Sequence, residues 1–79
     1  MRVIADITHP DFKITIMAMN QKFIIRLEQG NLEQIYKVSE MDVPNLEAVQ
    51  EILTENFLNS CMATFQIMRK DLHQASEEL

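Results

Sequence analysis

The sequence predicts an α+β fold, in which an antiparallel β-meander of three to four strands is followed by one long C-terminal α-helix packed on one sheet face. Two observations predict it. The first half of the 79-residue chain alternates apolar and polar residues with period two, and the second half repeats its apolar residues at helical spacing. The change falls within SEMDVP, residues 39–44, and no repeat or linker divides the chain. We therefore expect one domain over residues 1–79.

The central hairpin is predicted from strands at about 12–19 and 22–28. A two-residue turn at Asn20-Gln21 pairs Ile16 with Ile25, and Asn tolerates the positive φ that such turns need. The apolar residues of both strands then share one face. A one-residue slip would send them to the other face, so the apolar pattern fixes the register.

The strands on either side are predicted at about 31–38 and 2–8. Gly30, the one glycine of the chain, favours a turn at Gln29-Gly30 that pairs Leu27 with Leu32. The first strand reverses around the loop His9-Pro10-Asp11, where proline fits a tight hairpin poorly. Because of that loop, the meander has either three or four strands.

The helix is predicted at about 43–76. Asp42 is placed to cap its free N–H groups, and Pro44 falls in the first turn, where its missing N–H is tolerated. Such a helix is roughly 50 Å long, whereas the strands are roughly 27 Å long. It must therefore kink near Asn59-Ser60, protrude from the sheet, or pack against a second molecule.

The apolar stripe of the helix is wider than one small sheet covers. Most of the stripe is expected to be core, and its excess width favours homodimerisation through the helix. The residues expected at this dimer contact are Ile52, Leu58, Met62, Phe65 and Met68.

The face of the sheet that points away from the helix is the second candidate surface. The predicted registers place an aliphatic row on it, with basic residues alongside and Arg26 paired with Glu33. An exposed aliphatic row favours contact with a partner, whereas the charges alone suit a solvated face. The candidate binding residues are Ile4, Met17, Ile24 and Ile35 together with Lys22, Arg26 and Lys37.

These surfaces indicate a non-enzymatic, homodimeric protein-interaction module. The alternative is a dimeric single-stranded nucleic-acid-binding protein that uses the basic outward face. The net charge of −5 disfavours nucleic acid, and the outward face is predicted to lack the aromatic residues on which bases stack.

No pattern of catalytic residues accompanies these surfaces, so we expect no enzyme activity and no cofactor. His9 and Asp11 are a weak third hypothesis for a metal or small-ligand site, because a zinc site needs three or four ligands. Cys61 falls on the apolar stripe and is expected to be a buried, unreactive thiol. His73 is expected to form a surface ion pair with Glu77.

The compartment is inferred from what the sequence lacks. The first residues show no apolar signal-peptide run, and no stretch approaches the roughly 18 apolar residues of a membrane span. A single cysteine suits a reducing compartment. We expect an acidic cytoplasmic protein that does not contact membranes.

Overall fold

The computed structural model describes residues 2–77 and confirms the α+β architecture. Four strands form one antiparallel meander in the order β1-β2-β3-β4, and the C-terminal helix packs against one face of it. Neither helix within residues 2–77 is long and apolar enough to cross a membrane. The elements are β1 Arg2–Ile7, β2 Lys13–Met19, β3 Lys22–Gln29, β4 Leu32–Ser39, α1 Leu46–Ile52 and α2 Glu55–Glu77.

The β2–β3 hairpin has the predicted register. Ile16 pairs with Ile25, and the pairing runs without interruption to the turn. Asn20 and Gln21 both have positive φ, at 49° and 64°, as the central residues of a type I′ turn do.

The β3–β4 turn lies one residue later than predicted. Its central residues are Gly30 and Asn31, so Leu27 pairs with Gln34 rather than with Leu32. Gly30 has a φ of 59° and Asn31 has none in the positive region, which is the φ pattern of a type II′ turn with glycine first. The pairing moves by two residues, so every side chain keeps its predicted face.

The first strand joins the sheet, with a β-bulge between Val3 and Ala5. Ala5 pairs with Ile16 as predicted, but Val3 pairs with Met17 instead of Ala18. The bulge inserts one residue and so exchanges the faces beyond it. Ile4 therefore packs against the core, and Val3 takes the outward position that the sequence assigned to Ile4.

The helical half is two helices rather than the one predicted. Asn45 caps α1, and its Oδ1 accepts a hydrogen bond from the Ala48 N–H at 2.9 Å, in place of the predicted cap Asp42. The chain leaves the helix at Leu53-Thr54, and α2 then runs without a break through Asn59-Ser60. Thr54 Oγ1 accepts from the Phe57 N–H at 3.1 Å and caps α2.

The core lies between the helices and one face of the sheet. Half of its buried residues come from β2 and β3, while the two helices contribute three. Past Phe65, every described residue of α2 except Met68 is exposed, so the end of the helix protrudes from the sheet, which is one of the three alternatives that the predicted length allowed. The buried core residues are Phe12, Ile14, Ile16, Phe23, Ile25, Leu27, Leu32, Val49, Cys61 and Phe65.

Candidate functional site

The side of the sheet opposite the helices, hereafter the outer face, does not carry the predicted aliphatic row. Met17 and Ile24 lie opposite one another, yet each is only 5% exposed because neighbouring side chains cover them. In β4, Lys37 lies opposite Ile24, and Ile35 lies opposite Arg26. The exposed apolar residues are therefore separated at the two edges, Val3 at 54% and Ile35 at 52%.

The charges of the outer face divide between its two ends. Arg26 Nε lies 3.0 Å from Glu28 Oε1 rather than beside Glu33, although its N–H is not directed at the carboxylate. Glu33 faces Glu28 across the strands, so two like charges meet near the Gly30 turn. Lys22 lies at the opposite end, beside the Asn20-Gln21 turn. About a third of the Arg26 and Glu28 side chains is exposed, so solvent screens that pair.

The last strand, β4, leaves one edge of the sheet without a strand partner among residues 2–77. It is eight residues long and pairs with β3 without a bulge, whereas the opposite edge strand β1 is bulged. Bulges are one way in which proteins prevent unwanted strand pairing. The β4 edge lacks that protection, and Ile35, Tyr36 and Lys37 are exposed along it.

A partly buried polar cluster connects β4 to α2. Gln34 Nε2 donates to the Cys61 carbonyl oxygen at 2.8 Å, and the Tyr36 hydroxyl donates to Gln34 Oε1 at 2.9 Å. The Tyr36 ring packs edge-on against Phe57, with centroids 5.3 Å apart. Burial raises the pKa of both Tyr36 and the Cys61 thiol, so both groups are held in their neutral forms. The cluster fastens the helix to the edge strand, and only the polar Gln34 among apolar neighbours signals it in the sequence.

The predicted dimer-contact residues of the helices divide into two groups. Phe65 is fully buried and packs against Phe12 of its own chain, with ring centroids 5.9 Å apart, so it offers no surface to a partner. Ile52, Leu58, Met62 and Met68 are half-buried and pack against the core. The large apolar residues that α2 exposes within Glu55–Glu77 are Ile67 at 61% and Leu72 at 48%, and the sequence prediction named neither as a contact.

The position of α2 over the sheet follows from its polar and aromatic contacts. Cys61 and Phe57 meet β4, through Gln34 and Tyr36. On the other flank of the helix, the Arg69 guanidinium donates to Gln29 of β3. The helix axis therefore lies above β3 and β4. By helical geometry, the flank that carries Thr64 and Ile67 turns away from the sheet on the β4 side.

The loop after β1 holds the third candidate site. His9 stacks on Phe12, with ring centroids 4.2 Å apart, and its Nδ1 accepts from the Asp11 N–H at 3.1 Å. An open cavity of about 460 Å³ lies beside this loop. Within residues 2–77, no group of three or more His, Cys, Asp or Glu side chains is arranged to hold a metal ion. The contacts of His9 are those of a turn.

His73 is exposed on α2. His73 Nε2 lies 3.0 Å from Glu77 Oε1, which is the predicted exposed pair along α2.

No family model matches this chain, and comparison with curated proteins and with solved structures finds no significant match.

Proposed function

We propose that this protein is a non-enzymatic interaction module that works as a homodimer. The observation that carries the proposal is the apolar surface of α2 that its own sheet leaves uncovered. Leu72 is 48% exposed one turn beyond the half-buried Met68, and Ile67 is 61% exposed on another side of the helix. Burial of such surface gains about 25 cal/mol per Å², which favours association.

The size of the domain supports a partner of this kind. Chains of about 80 residues bury a modest share of their surface, and association is a common way to add apolar burial. A second copy brings the same exposed helix and the same open sheet edge. Chemistry is a weaker candidate, since the Cys61 thiol is buried with a raised pKa and takes part in the cluster with Tyr36.

Light scattering coupled to size-exclusion chromatography tests the proposal. We expect a mass of twice the 9.2 kDa of a single chain at tens of micromolar. Ile67→Glu should shift the population towards monomer, because it places a charge on the exposed apolar flank. Gln66→Glu is the matched control, since it adds the same charge at an exposed position one residue away. A mass of 9.2 kDa at every concentration overturns the homodimer.

A second candidate function is binding of single-stranded nucleic acid. Lys22 and Lys37 are diagonal neighbours at one end of the outer face, which gives that end positive charge. The aromatic residues of the strands give it less support, because Phe23 is buried on the helix side and Tyr36 packs on Phe57. Anisotropy of a labelled single-stranded oligonucleotide at low salt tests it, and no binding at tens of micromolar removes it.

A further inference from the structure

We infer that two copies of this chain pair antiparallel through β4, edge to edge, to form one continuous eight-stranded sheet with Ile35 on the two-fold axis. This inference rests on the proposed homodimer and specifies its interface and register. It starts from the one regular edge of the sheet: β4 is eight residues long and unbulged, and its outer main-chain groups have no strand partner among residues 2–77.

The sequence of β4 is self-complementary about Ile35. When Ile35 lies opposite the partner's Ile35, Glu33 lies opposite the partner's Lys37, and the symmetry makes this ion pair twice. On the helix side, Gln34 lies opposite the partner's Tyr36 and Leu32 opposite the partner's Val38. Opposite charges thus face each other, polar residues face polar residues, and apolar residues face apolar residues.

Across the β3–β4 pair, neither charge of β4 lies opposite a counter-ion among residues 2–77. Glu33 faces Glu28 of β3, and Lys37 faces the apolar Ile24. A two-fold axis at Ile35 supplies both with a counter-ion. If the axis moved to Glu33 or to Lys37, like charges would lie directly opposite one another, which destabilises a strand pair. Axes at Gln34 or Tyr36 would leave both charges opposite uncharged residues, so the axis at Ile35 is the register in which Glu33 and Lys37 both gain a counter-ion.

The apolar side chain at the axis supports the same register. Ile35 is 52% exposed on the outer face, at the edge of the sheet. Directly opposite residues in an antiparallel pair lie about 4.5 to 5.5 Å apart, which brings the two isoleucines into contact. Pairing at this edge therefore covers one of the two large apolar side chains that the outer face exposes.

The helices fit this arrangement. Because α2 lies above β3 and β4, its axis is about one strand spacing, roughly 4.8 Å, from the two-fold axis. The two copies of α2 are then roughly 9 to 10 Å apart, and packed helices are typically separated by about 8 to 10 Å. The flank with Thr64 and Ile67 lies on the side of the partner's helix, so the same pairing brings the exposed Ile67 towards the interface.

Charge reversal tests the register. Glu33→Lys and Lys37→Glu each place two like-charged pairs across the two-fold axis, and each should weaken the dimer by roughly ten-fold. The double variant restores opposite charges and should recover most of the affinity. Sedimentation equilibrium measures the dissociation constants. Arg2→Glu is the control, because it reverses an exposed charge on β1, at the opposite edge of the sheet, and should leave the affinity unchanged.

The stability of the single chain should not change in parallel with the dimer affinity, so loss of the dimer can be distinguished from unfolding. Glu33→Lys replaces a like-charge pair with an attractive pair to Glu28, so the chain itself should not lose stability. Urea unfolding monitored by circular dichroism checks this. Two single variants that bind as tightly as the parent overturn the β4 register, even if the protein is a dimer.

A disulfide across the axis is the independent test. In a Cys61→Ala background whose fold is verified by circular dichroism, Ile35→Cys should give a covalent dimer under oxidised glutathione, because opposite Cα atoms lie within disulfide range. Val3→Cys, an exposed apolar position on the other edge, is the matched control and should not cross-link. A dimer that Ile35→Cys fails to cross-link overturns the inference alone, whereas a monomer overturns the proposed function as well.

Discussion

Gln34 of β4 donates a hydrogen bond from its side-chain amide to the main-chain carbonyl of Cys61, in the N-terminal third of α2, at 2.8 Å. Its other amide atom, Oε1, accepts from the Tyr36 hydroxyl at 2.9 Å. A buried amide is stable only when both ends have partners, and Gln34 is 8% exposed. This residue therefore fixes the helix against the strand that we propose as the dimer edge.

The first prediction concerns that connection. Gln34→Ala should lower the free energy of unfolding by about 1 to 3 kcal/mol, because it removes both hydrogen bonds and leaves a cavity. Tyr36→Phe should cost about 1 kcal/mol, since the hydroxyl's hydrogen bond to Gln34 Oε1 and its weaker contact with Cys61 Sγ are lost. Urea unfolding measures both. Gln66→Ala on the exposed side of α2 is the control, and a loss as large as that of Gln34→Ala there contradicts the assigned role.

The second prediction concerns alkaline pH. Burial raises the pKa of the Cys61 thiol above its ordinary 9.0, although its hydrogen bond with Tyr36 lowers it in part. Burial, and then the contact with Cys61, raise the pKa of Tyr36 above 10.0. The folded state favours the neutral forms, so their contribution is complete below about pH 9 and is lost as the pH rises through the raised values. Cys61→Ala should therefore lose less stability between about pH 8 and pH 11 than the parent chain does.

The same burial predicts a slow thiol reaction. In the folded chain, Cys61 is 1% exposed and should react with a disulfide reagent much more slowly than in urea. The reaction is followed by absorbance at neutral pH. Equal rates in the folded and unfolded chain contradict a buried thiol.

The third prediction concerns the break between the helices. Thr54→Ala should lower the free energy of unfolding by about 1 kcal/mol, because Thr54 Oγ1 accepts from the Phe57 N–H and caps α2. Thr64→Ala is the matched control. Its hydroxyl donates back to the Ser60 carbonyl within the helix, so its loss should be neutral or slightly stabilising. If the two variants lose equal stability in thermal unfolding, Thr54 is not a significant cap.

The sequence predicted the parts of the fold that its apolar pattern determines. Ile16 pairs with Ile25 as predicted, because a shift of one residue would have exposed the core side chains of β2 and β3. The pattern does not distinguish registers that differ by two residues. This is why Leu27 was assigned to Leu32 instead of Gln34, although both assignments keep the faces correct.

Three features of the candidate surfaces could not be read from that pattern. The bulge after Val3 exchanges faces without a glycine to mark it, so Ile4 was placed on the outer face. The helix ends at Leu53 without a glycine or proline, and only Thr54 hints at a new cap. The width of the apolar stripe did not show which residues the sheet covers, so Phe65 was assigned to a partner and Ile67 was not.

The final prediction concerns the two hairpin turns that contain residues with positive φ. Gln21 has a φ of 64°, which is costly for a residue with a Cβ, so Gln21→Gly should stabilise the chain by roughly 0.5 to 1 kcal/mol. Gly30→Ala should destabilise it by roughly 1 kcal/mol. A Cβ there meets no atom within 4 Å, so the cost comes from its φ of 59° alone. Thermal unfolding measures both changes. Asn31→Gly is the control, because Asn31 has no positive φ and glycine there should not raise the stability. If Asn31→Gly stabilises the chain as much as Gln21→Gly does, the assigned turn geometry is wrong.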